Sequence, residues 1–476
     1  MSNETLKCDI AVLGAGPGGY AAAFMAADLG KKVVLIDPLK NPGGVCLHWG
    51  CIPTKALLRV VNLKDEVEES KEWGLKFDNL DIDVKKLVEF KNSVVEKLTG
   101  GLGQLVERRK ITYLRGHGKF TDDHSIEVTP VDEDSARSVE FENAIVATGT
   151  RAATIPGADL ESEKILYAKP ALDLEEIPKS LLVVGAGYIG LELGSLYAKL
   201  GSEVTVVEML DEIMPGTDRD LVKVFLKANK NTFKELRTGT KVEKIEERKK
   251  DLEITFAAKD GEKETVTYER VLITVGRVPN TDSIGLDKAG LEPGEKGFIE
   301  VDEQRRTSVS HIFAIGDITG PPLLAHKAYQ EGRVAARVAA GEKDAYDPAT
   351  IPSVEYTDPE MAWAGISERE AEEQGLDVRV TSFPWGASGR AATLGNTVGK
   401  TKLIFDSESG RLLGAGIVGR RADELIPETA LAIEMAAVAE DISTTIHPHP
   451  TLSETIMEAA DAFFGTPTHI MGRKPK

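Results

Sequence analysis

Residues 43–55 read GGVCLHWGCIPTK and place two cysteines at i and i+5 among three glycines and a proline. Paired thiols at close range can carry electrons, ligate a metal or simply fill space. In a regular helix this spacing separates the Cα atoms by about 7.5 Å along the axis, beyond the ~7 Å at which a disulfide can close. A bridge between Cys46 and Cys51 therefore needs a distorted turn, and Gly43, Gly44, Gly50 and Pro53 supply the backbone freedom and the break. Zinc is disfavoured, because its cysteine pairs usually sit two to four residues apart and no second ligand pair is near; no metal site is expected. Two inert, buried thiols remain the plain alternative.

A second kind of chemistry is written twice. The apolar run 10–13 passes into GAGPGG at 14–19, then an Ala-rich helical stretch, then the apolar run 33–36 ending in Asp37. Likewise the run 181–184 enters GAGYIG at 185–190, followed by a helical stretch to 200 and the run 204–207 ending in Glu208. In such a strand–turn–helix the first glycine (Gly14, Gly185) makes the tight turn. The second (Gly16, Gly187) lets the backbone approach a pyrophosphate, and the third (Gly19, Gly190) lets helix pack on strand. Asp37 and Glu208 stand at the same offset from their first glycines, where a carboxylate accepts hydrogen bonds from ribose hydroxyls. A solvated strand end is the plain alternative for either. A carboxylate at 208 also welcomes a 2′-hydroxyl and repels a 2′-phosphate, so the second site is expected to prefer NAD to NADP.

Further strands must position these sites. The runs 144–147 and 271–275 exit into Thr148-Gly149 and Gly276-Arg277, the run 312–315 delivers Gly316-Asp317, and 325–340 has helical composition. The pattern predicts an α/β fold with two Rossmann-like dinucleotide-binding domains, the second inserted into the first, and a C-terminal α+β part rich in β-branched runs from about 351. The stretch 429–439, TALAIEMAAVA, predicts a helix apolar nearly all round, buried in the core or at a subunit interface.

The chain has 476 residues, with 58 Lys+Arg against 77 Asp+Glu, a net charge of −19. That balance repels phosphate backbones and anionic headgroups, which excludes nucleic-acid and membrane-surface partners. No apolar run approaches the ~18 residues of a spanning helix. The first nine residues lack the character of a signal or transit peptide, so a cytoplasmic location is expected. Three cysteines are too few for a secreted disulfide framework.

Together with residues 307–317, TSVSHIFAIGD, and 447–454, HPHPTLSE, these motifs resemble the dihydrolipoamide dehydrogenases of the flavin-dependent pyridine nucleotide–disulfide oxidoreductase family, over about residues 6–464. The resemblance implies a redox-active disulfide between Cys46 and Cys51, FAD on the first fingerprint and NAD on the second. It adds Gly118, Thr148, Gly149, Asp317 and Ala325 to Gly14, Gly16, Gly19, Asp37 and Lys55 for FAD, and Gly276 to Gly185, Gly187, Gly190 and Glu208 for NAD. Lys55 and Glu192 match a pair beside the flavin ring, and His449 and Glu454 match an acid/base pair supplied by the partner subunit. His447 reads as a packing or capping residue. Asp37 stands where the family usually has Glu, and Pro448 stiffens a loop where many relatives have no proline.

The implied domains are 1–150 and 277–350 for FAD, 151–276 for NAD and 351–476 for the homodimer interface. The implied reaction oxidises a dihydrolipoyl group with NAD⁺, His449 taking a thiol proton, Cys46 accepting the substrate thiolate and Cys51 lying nearer the flavin. Implied partners are the lipoyl domains and core acyltransferase of 2-oxoacid dehydrogenase complexes, or the lipoyl protein of glycine cleavage. Glutathione or mercuric reductase-like activity is disfavoured by Glu208 and Gly190 and by the lack of any cysteine after Cys51. A non-catalytic assembly subunit is disfavoured because no redox residue is missing.

Overall fold

The first glycine-bearing run folds as strand Thr5–Leu13, helix Pro17–Asp28 and strand Val33–Asp37, the last buried along its whole length. The computed structural model describes residues 5–132, 135–158, 160 and 162–472; the tail predicted to be disordered lies outside these from residue 473 on. Strand Thr5–Leu13 pairs in parallel with Val33–Asp37 on one side and with Arg137–Val146 on the other. Thr112–Asp122 and Ile312–Ala314 extend the parallel set outwards, and Ser125–Pro130 joins it antiparallel. The pairing of Ile312 with Ala144 carries the chain back to this sheet and delivers Gly316 and Asp317 beside the exit of Arg137–Val146.

A second sheet repeats the plan. Its parallel strands run in the order Glu235–Arg237, Glu203–Val207, Ser180–Val184, Arg270–Ile273, Ile165–Leu166. The repetition extends to single bonds: Gly14 N–H donates to Ile36 O and Gly185 N–H to Val207 O, both at 2.8 Å. Valine, isoleucine and leucine fill both faces of these strands because both faces are covered, by helices on one side and, on the other face of the second sheet, by the antiparallel sheet of Thr240–Glu247, Leu252–Ala258 and Lys263–Tyr268. The antiparallel ribbon Thr150–Ala152 with Arg277–Pro279 links the two sheets. Among the described residues no helix is long and apolar enough to cross a membrane.

The C-terminal part is an antiparallel five-stranded sheet with helices Ala422–Glu434 and Glu454–Phe464 packed on it. One expectation needs correction here. The helix predicted at 429–439 runs from Ala422 to Glu434, stops at Met435 and gives way to Ala436 at φ +55°. It is not an internal core helix: Ile426, Thr429 and Ile433 face the sheet, while Leu431 and Met435 are 63% and 73% exposed. Composition could not find the start because the first turns, ADELIPE, carry acids and a proline that mask the apolar stripe.

The cysteine segment is seated directly on the first fingerprint. Helix Gly44–Trp49 ends at Gly50, and helix Cys51–Glu69 begins at once, so the distorted turn that the spacing demands falls between the cysteines. Gly43 N–H donates to Ala15 O at 2.8 Å. Gly44 has φ +57°, and a Cβ there would lie 2.6 Å from the Cα of Gly16. Gly44→Ala should therefore cost about 1–3 kcal/mol through overpacking and a left-handed backbone. Urea unfolding should show this as a lower midpoint at unchanged slope; an unchanged midpoint would mean that the two turns do not meet.

Candidate active site

A cavity of about 690 Å³ opens where the first fingerprint, the cysteine segment and the Asp317 turn converge. Of the residues expected around FAD, Gly14, Gly16, Asp37, Lys55, Gly118, Thr148, Gly149, Asp317 and Ala325 line it, together with Cys46, Cys51 and Glu192. Gly19 lies behind the wall, where a Cβ would come within 1.8 Å of Gly14 O. Its role is the close contact of helix and strand. At Gly16, by contrast, an added Cβ meets only Gly44 Cα at 3.9 Å.

Helix Pro17–Asp28 starts with Gly16 as N-cap and has no side-chain cap, so its first N–H groups and its positive dipole end serve the cavity. The second fingerprint has the same build. A Cβ at Gly185 or Gly190 would clash with Thr274 O or Gly185 O, whereas at Gly187 it meets nothing within 4 Å. The open space at each middle glycine, the uncapped helix starts and the cavity volume suit a dinucleotide pyrophosphate. Gly185, Gly187, Gly190, Glu208 and Gly276 are not among the cavity residues, but Tyr188 and Ile189, opening the second fingerprint's helix, are. Gly276, at φ +131°, leaves strand Arg270–Ile273 with open space at its Cα.

The two strand-end carboxylates are held alike. Asp37 accepts from Ala15 N–H at 2.7 Å and Leu39 N–H at 2.9 Å, and Glu208 from Ala186 N–H at 2.8 Å and Leu210 N–H at 2.9 Å. Neither is a freely solvated end. Burial pushes the Asp37 carboxyl above its usual range, against the pull of its two N–H donors. The shorter aspartate thus braces the fingerprint turn from below while still facing the cavity.

Cys46 and Cys51 are free thiols that both line the cavity and influence one another's ionisation. Interaction with the Cys46 thiol, helped by the Lys55 ammonium, brings Cys51 down to about 7 against the cost of partial desolvation. The Cys51 sulfur and partial burial push Cys46 up. Lys55 Nζ lies 3.0 and 2.7 Å from the two oxygens of Glu192, which is buried, and 4.5 Å from the centroid of the Tyr356 ring. Tyr356 N–H donates to Glu192 Oε1 at 2.9 Å. This pair is far from an ordinary surface contact.

Several contributors escaped the sequence reading. Thr150 Oγ1 donates to Asp317 Oδ2 at 2.6 Å, and Arg277 Nε donates to Thr150 Oγ1 at 2.5 Å. Arg277 lines the cavity, and a cation immediately after a strand-exit glycine was the available signal. Glu355 is buried beside Glu192, its Oε2 without a hydrogen-bond partner among the described residues; burial, then the Glu192 charge, pushes its carboxyl up to about 8.

His449 Nδ1 sits 2.9 Å from Glu454 Oε1, and Glu454 Oε2 accepts from Thr451 N–H at 2.7 Å. Partial burial opposes the charge on Glu454, but Thr451 and His449 outweigh it and hold the carboxyl below its usual range. Neither residue lines the cavity that holds the cysteines. His447, read as a packing residue, has an orienting carboxylate after all: its Nε2 lies 2.7 Å from Glu428 Oε1, which raises its affinity for a proton.

Residues 8–332 match the family model described as pyridine nucleotide-disulphide oxidoreductase, and residues 351–460 match that family's dimerisation domain. Curated relatives include a dihydrolipoyl dehydrogenase of Vibrio parahaemolyticus, 47% identical with 100% of this chain and 99% of the relative covered. Another, from Geobacillus stearothermophilus, is 45% identical with 99% of each covered. Among solved structures the chain is similar to LpdA from Mycobacterium tuberculosis, at TM-score 0.88 and 27% identity, over 96% of this chain and 99% of that one. The HOCl-induced flavoprotein disulfide reductase RclA from Escherichia coli matches at TM-score 0.85 and 25% identity, over 95% and 99%.

Because Lys55 favours the Cys51 thiolate, the ultraviolet absorbance of the reduced protein should show one thiolate appearing as the pH rises through about 7. Lys55→Met should move that midpoint upward. An unmoved midpoint would mean that the ammonium does not reach the sulfur.

Proposed function

Since the chain belongs to the pyridine nucleotide-disulphide oxidoreductase family, we propose that it oxidises dihydrolipoyl groups to lipoyl groups, with FAD in the first dinucleotide site and NAD⁺ in the second. The observation that carries this reading is the Cys46/Cys51 pair, set on either side of the Gly50 break in the wall of the cavity onto which the first fingerprint opens. We assign 1–150 and 277–350 to FAD binding, 151–276 to NAD binding and 351–476 to the homodimer interface. Gly14, Gly16, Asp37, Gly118, Thr148, Gly149, Asp317 and Ala325 would hold FAD, and Gly185, Gly187, Gly190, Glu208 and Gly276 would hold NAD.

The protein's part in the chemistry is thiol–disulfide exchange. With its Nδ1 oriented by Glu454, His449 accepts a substrate thiol proton at Nε2. The resulting thiolate attacks Cys46 Sγ in the oxidised pair, breaking the Cys46–Cys51 bond and releasing Cys51 as a thiolate beside Lys55. The second substrate thiol then attacks its own disulfide-bonded sulfur, closing the lipoyl ring and releasing Cys46, which takes up that thiol's proton. FAD and NAD⁺, when bound, would supply the hydride chemistry that removes the electron pair left in the Cys46/Cys51 dithiol. Lys55 and Glu192 position and charge the Cys51 side of the pair.

In one chain the acid/base pair lies outside the cysteine cavity, while His449 is 72% exposed. Each site is therefore built from two subunits, Cys46 and Cys51 from one and His449 and Glu454 from the other. The substrate is a lipoyl group on the lipoyl domains that the core acyltransferase of a 2-oxoacid dehydrogenase complex carries, or on the glycine-cleavage lipoyl protein, in the cytoplasm.

Two measurements test the reading. Assayed with dihydrolipoamide and NAD⁺, His449→Gln homodimers should lose about 10²–10⁴-fold and Cys46→Ser homodimers nearly all activity. A tagged hybrid of the two should recover about half the wild-type rate, since one of its two symmetric sites is complete. A flavin-loaded hybrid no more active than its parents would overturn the shared site. Separately, kcat/KM should favour NAD⁺ over NADP⁺, and Glu208→Ser should shrink that preference by about 10–150-fold, the loss of a charge-assisted hydrogen bond of about 1.5–3 kcal/mol. A wild-type preference for NADP⁺ would remove Glu208 from the ribose.

A further inference from the structure

Glu355 is a buried acid that the sulfur chemistry leaves unused. It ends strand Ser353–Glu355 at 5% exposure. Its partner across the ladder, Met361, is buried in the core that also holds Leu221 and Phe225. A carboxyl thus stands where an apolar side chain would suit the neighbours, and its Oε2 has no hydrogen-bond partner among the described residues. The next residue is Tyr356, whose N–H holds Glu192 and whose ring lies against the Lys55 ammonium.

The surrounding charges decide its state. Glu192 acts on it with a negative charge that is bonded to Lys55 through both oxygens. Arg219 pulls the other way, but its guanidinium is taken by Ile213 O at 2.9 Å, Thr217 O at 3.1 Å and Glu212 Oε2 at 3.5 Å. The other charged groups along this segment serve one another: Glu360 accepts from Asp423 N–H at 3.4 Å, and Lys199 bridges Asp65 and Asp358. A buried carboxyl beside a carboxylate, with no counter-ion of its own, keeps its proton.

Reduction of the cysteine pair changes the balance. Two electrons from a dithiol break the Cys46–Cys51 bond, one proton goes to Cys46, and Cys51 remains as a thiolate. Lys55 favours that thiolate and Glu192 opposes it, so a second carboxylate charge next to Glu192 opposes it further.

We propose that Glu355 is a positioning residue that ties a proton to the redox state of the cysteines. Neutral, it leaves Glu192 as the one charged acid on Lys55; ionised, it opposes the Cys51 thiolate. When the pair is reduced at a pH where Glu355 has ionised, Glu355 takes a second proton from solvent, so two electrons enter with two protons in place of one. Glu355 does not line the cavity and acts on the sulfurs at a distance. The proposal rests on the redox reading of Cys46 and Cys51 and not on the identity of the substrate.

The test uses the full-length protein in dithiothreitol redox buffers, so neither a lipoyl substrate nor NAD⁺ enters it. The fraction of reduced pair is read by alkylation and mass spectrometry. Wild type and Glu355→Gln should match at about pH 6.5; at about pH 9 the wild-type pair should be harder to reduce, its equilibrium constant about 2–10-fold lower. Thermal unfolding reads the proton itself. Folded Glu355 keeps its proton to a higher pH than the unfolded carboxyl, so the stability it contributes is complete below the ordinary carboxylate range and lost as the pH rises through about 8. The wild-type melting temperature should therefore fall relative to Glu355→Gln between about pH 5 and pH 9. Glu355→Val, an apolar replacement suited to a strand, should match the Gln variant in both measurements. A redox difference of equal size at both pH values, or an unfolding difference independent of pH, would overturn the proposal. A wild-type pair that forms no disulfide at any dithiothreitol ratio would overturn the redox reading itself, and the proposal with it.

Discussion

The Lys55–Glu192 ion pair joins three parts of the chain that are remote in sequence. Lys55 is on the helix that begins with Cys51, Glu192 on the helix of the second fingerprint, and the N–H that completes Glu192 belongs to Tyr356, just past the C-terminal strand Ser353–Glu355. Glu192 is buried, so removing its cation would strand a charge away from water, at a cost of several kcal/mol. The pair thus holds the two dinucleotide units and the C-terminal part in register. It also sets a charge beside the sulfurs, because the ammonium that satisfies Glu192 is the one that favours the Cys51 thiolate. Glu355, kept from ionising by burial and by Glu192, leaves that charge balance to a single carboxylate.

Backbone contact does the rest of the positioning. The cysteine segment reaches the first fingerprint through a glycine-to-glycine approach and one amide bond from Gly43 to Ala15, with no side chain between them. The thiols and the phosphate-binding turn therefore move as one body. The second fingerprint has a looser counterpart in Met214 N–H to Ala186 O at 3.3 Å. The same strand–turn–helix scaffold thus carries a rigid redox segment at its first copy and an ordinary loop at its second.

The α/β fold and the glycine turns were legible in the sequence because their determinants are local: a strand's apolar run, a turn's glycines and a carboxylate lie within one β-α-β unit. Distances across the chain were not. The Thr150–Asp317–Arg277 cluster depends on a ribbon linking two sheets, and no periodicity reports it. The carboxylate that orients His447 could not be foreseen, because Glu428 sits on an earlier helix. The helix at 422–434 was displaced in the reading because Pro427 and the acids of its first turns broke the apolar pattern, and because an apolar run reads the same whether a core or another chain covers it.

That ambiguity bears on how the site is completed. Leu431 and Met435 project from helix Ala422–Glu434 and its C-terminal cap, Ile446 is 94% exposed just before His447, and the His449 imidazole also faces outwards. A single chain thus presents its apolar side chains and its acid/base pair to solvent from the same part of the fold, which matches a dimerisation domain. In a two-fold dimer whatever one subunit offers its partner it also receives, so burying this surface twice would bring two acid/base pairs to two cysteine cavities together. Assembly and catalysis would then share one free energy: the apolar contacts that hold the subunits together also fix the histidine at the distance proton transfer requires. A base held by its own chain would need no such coupling, and its loop could stay as mobile as other surface loops. The brace on His449, a carboxylate at the start of a helix that itself accepts the Thr451 amide, is the kind of rigid mount that a base reaching across an interface needs.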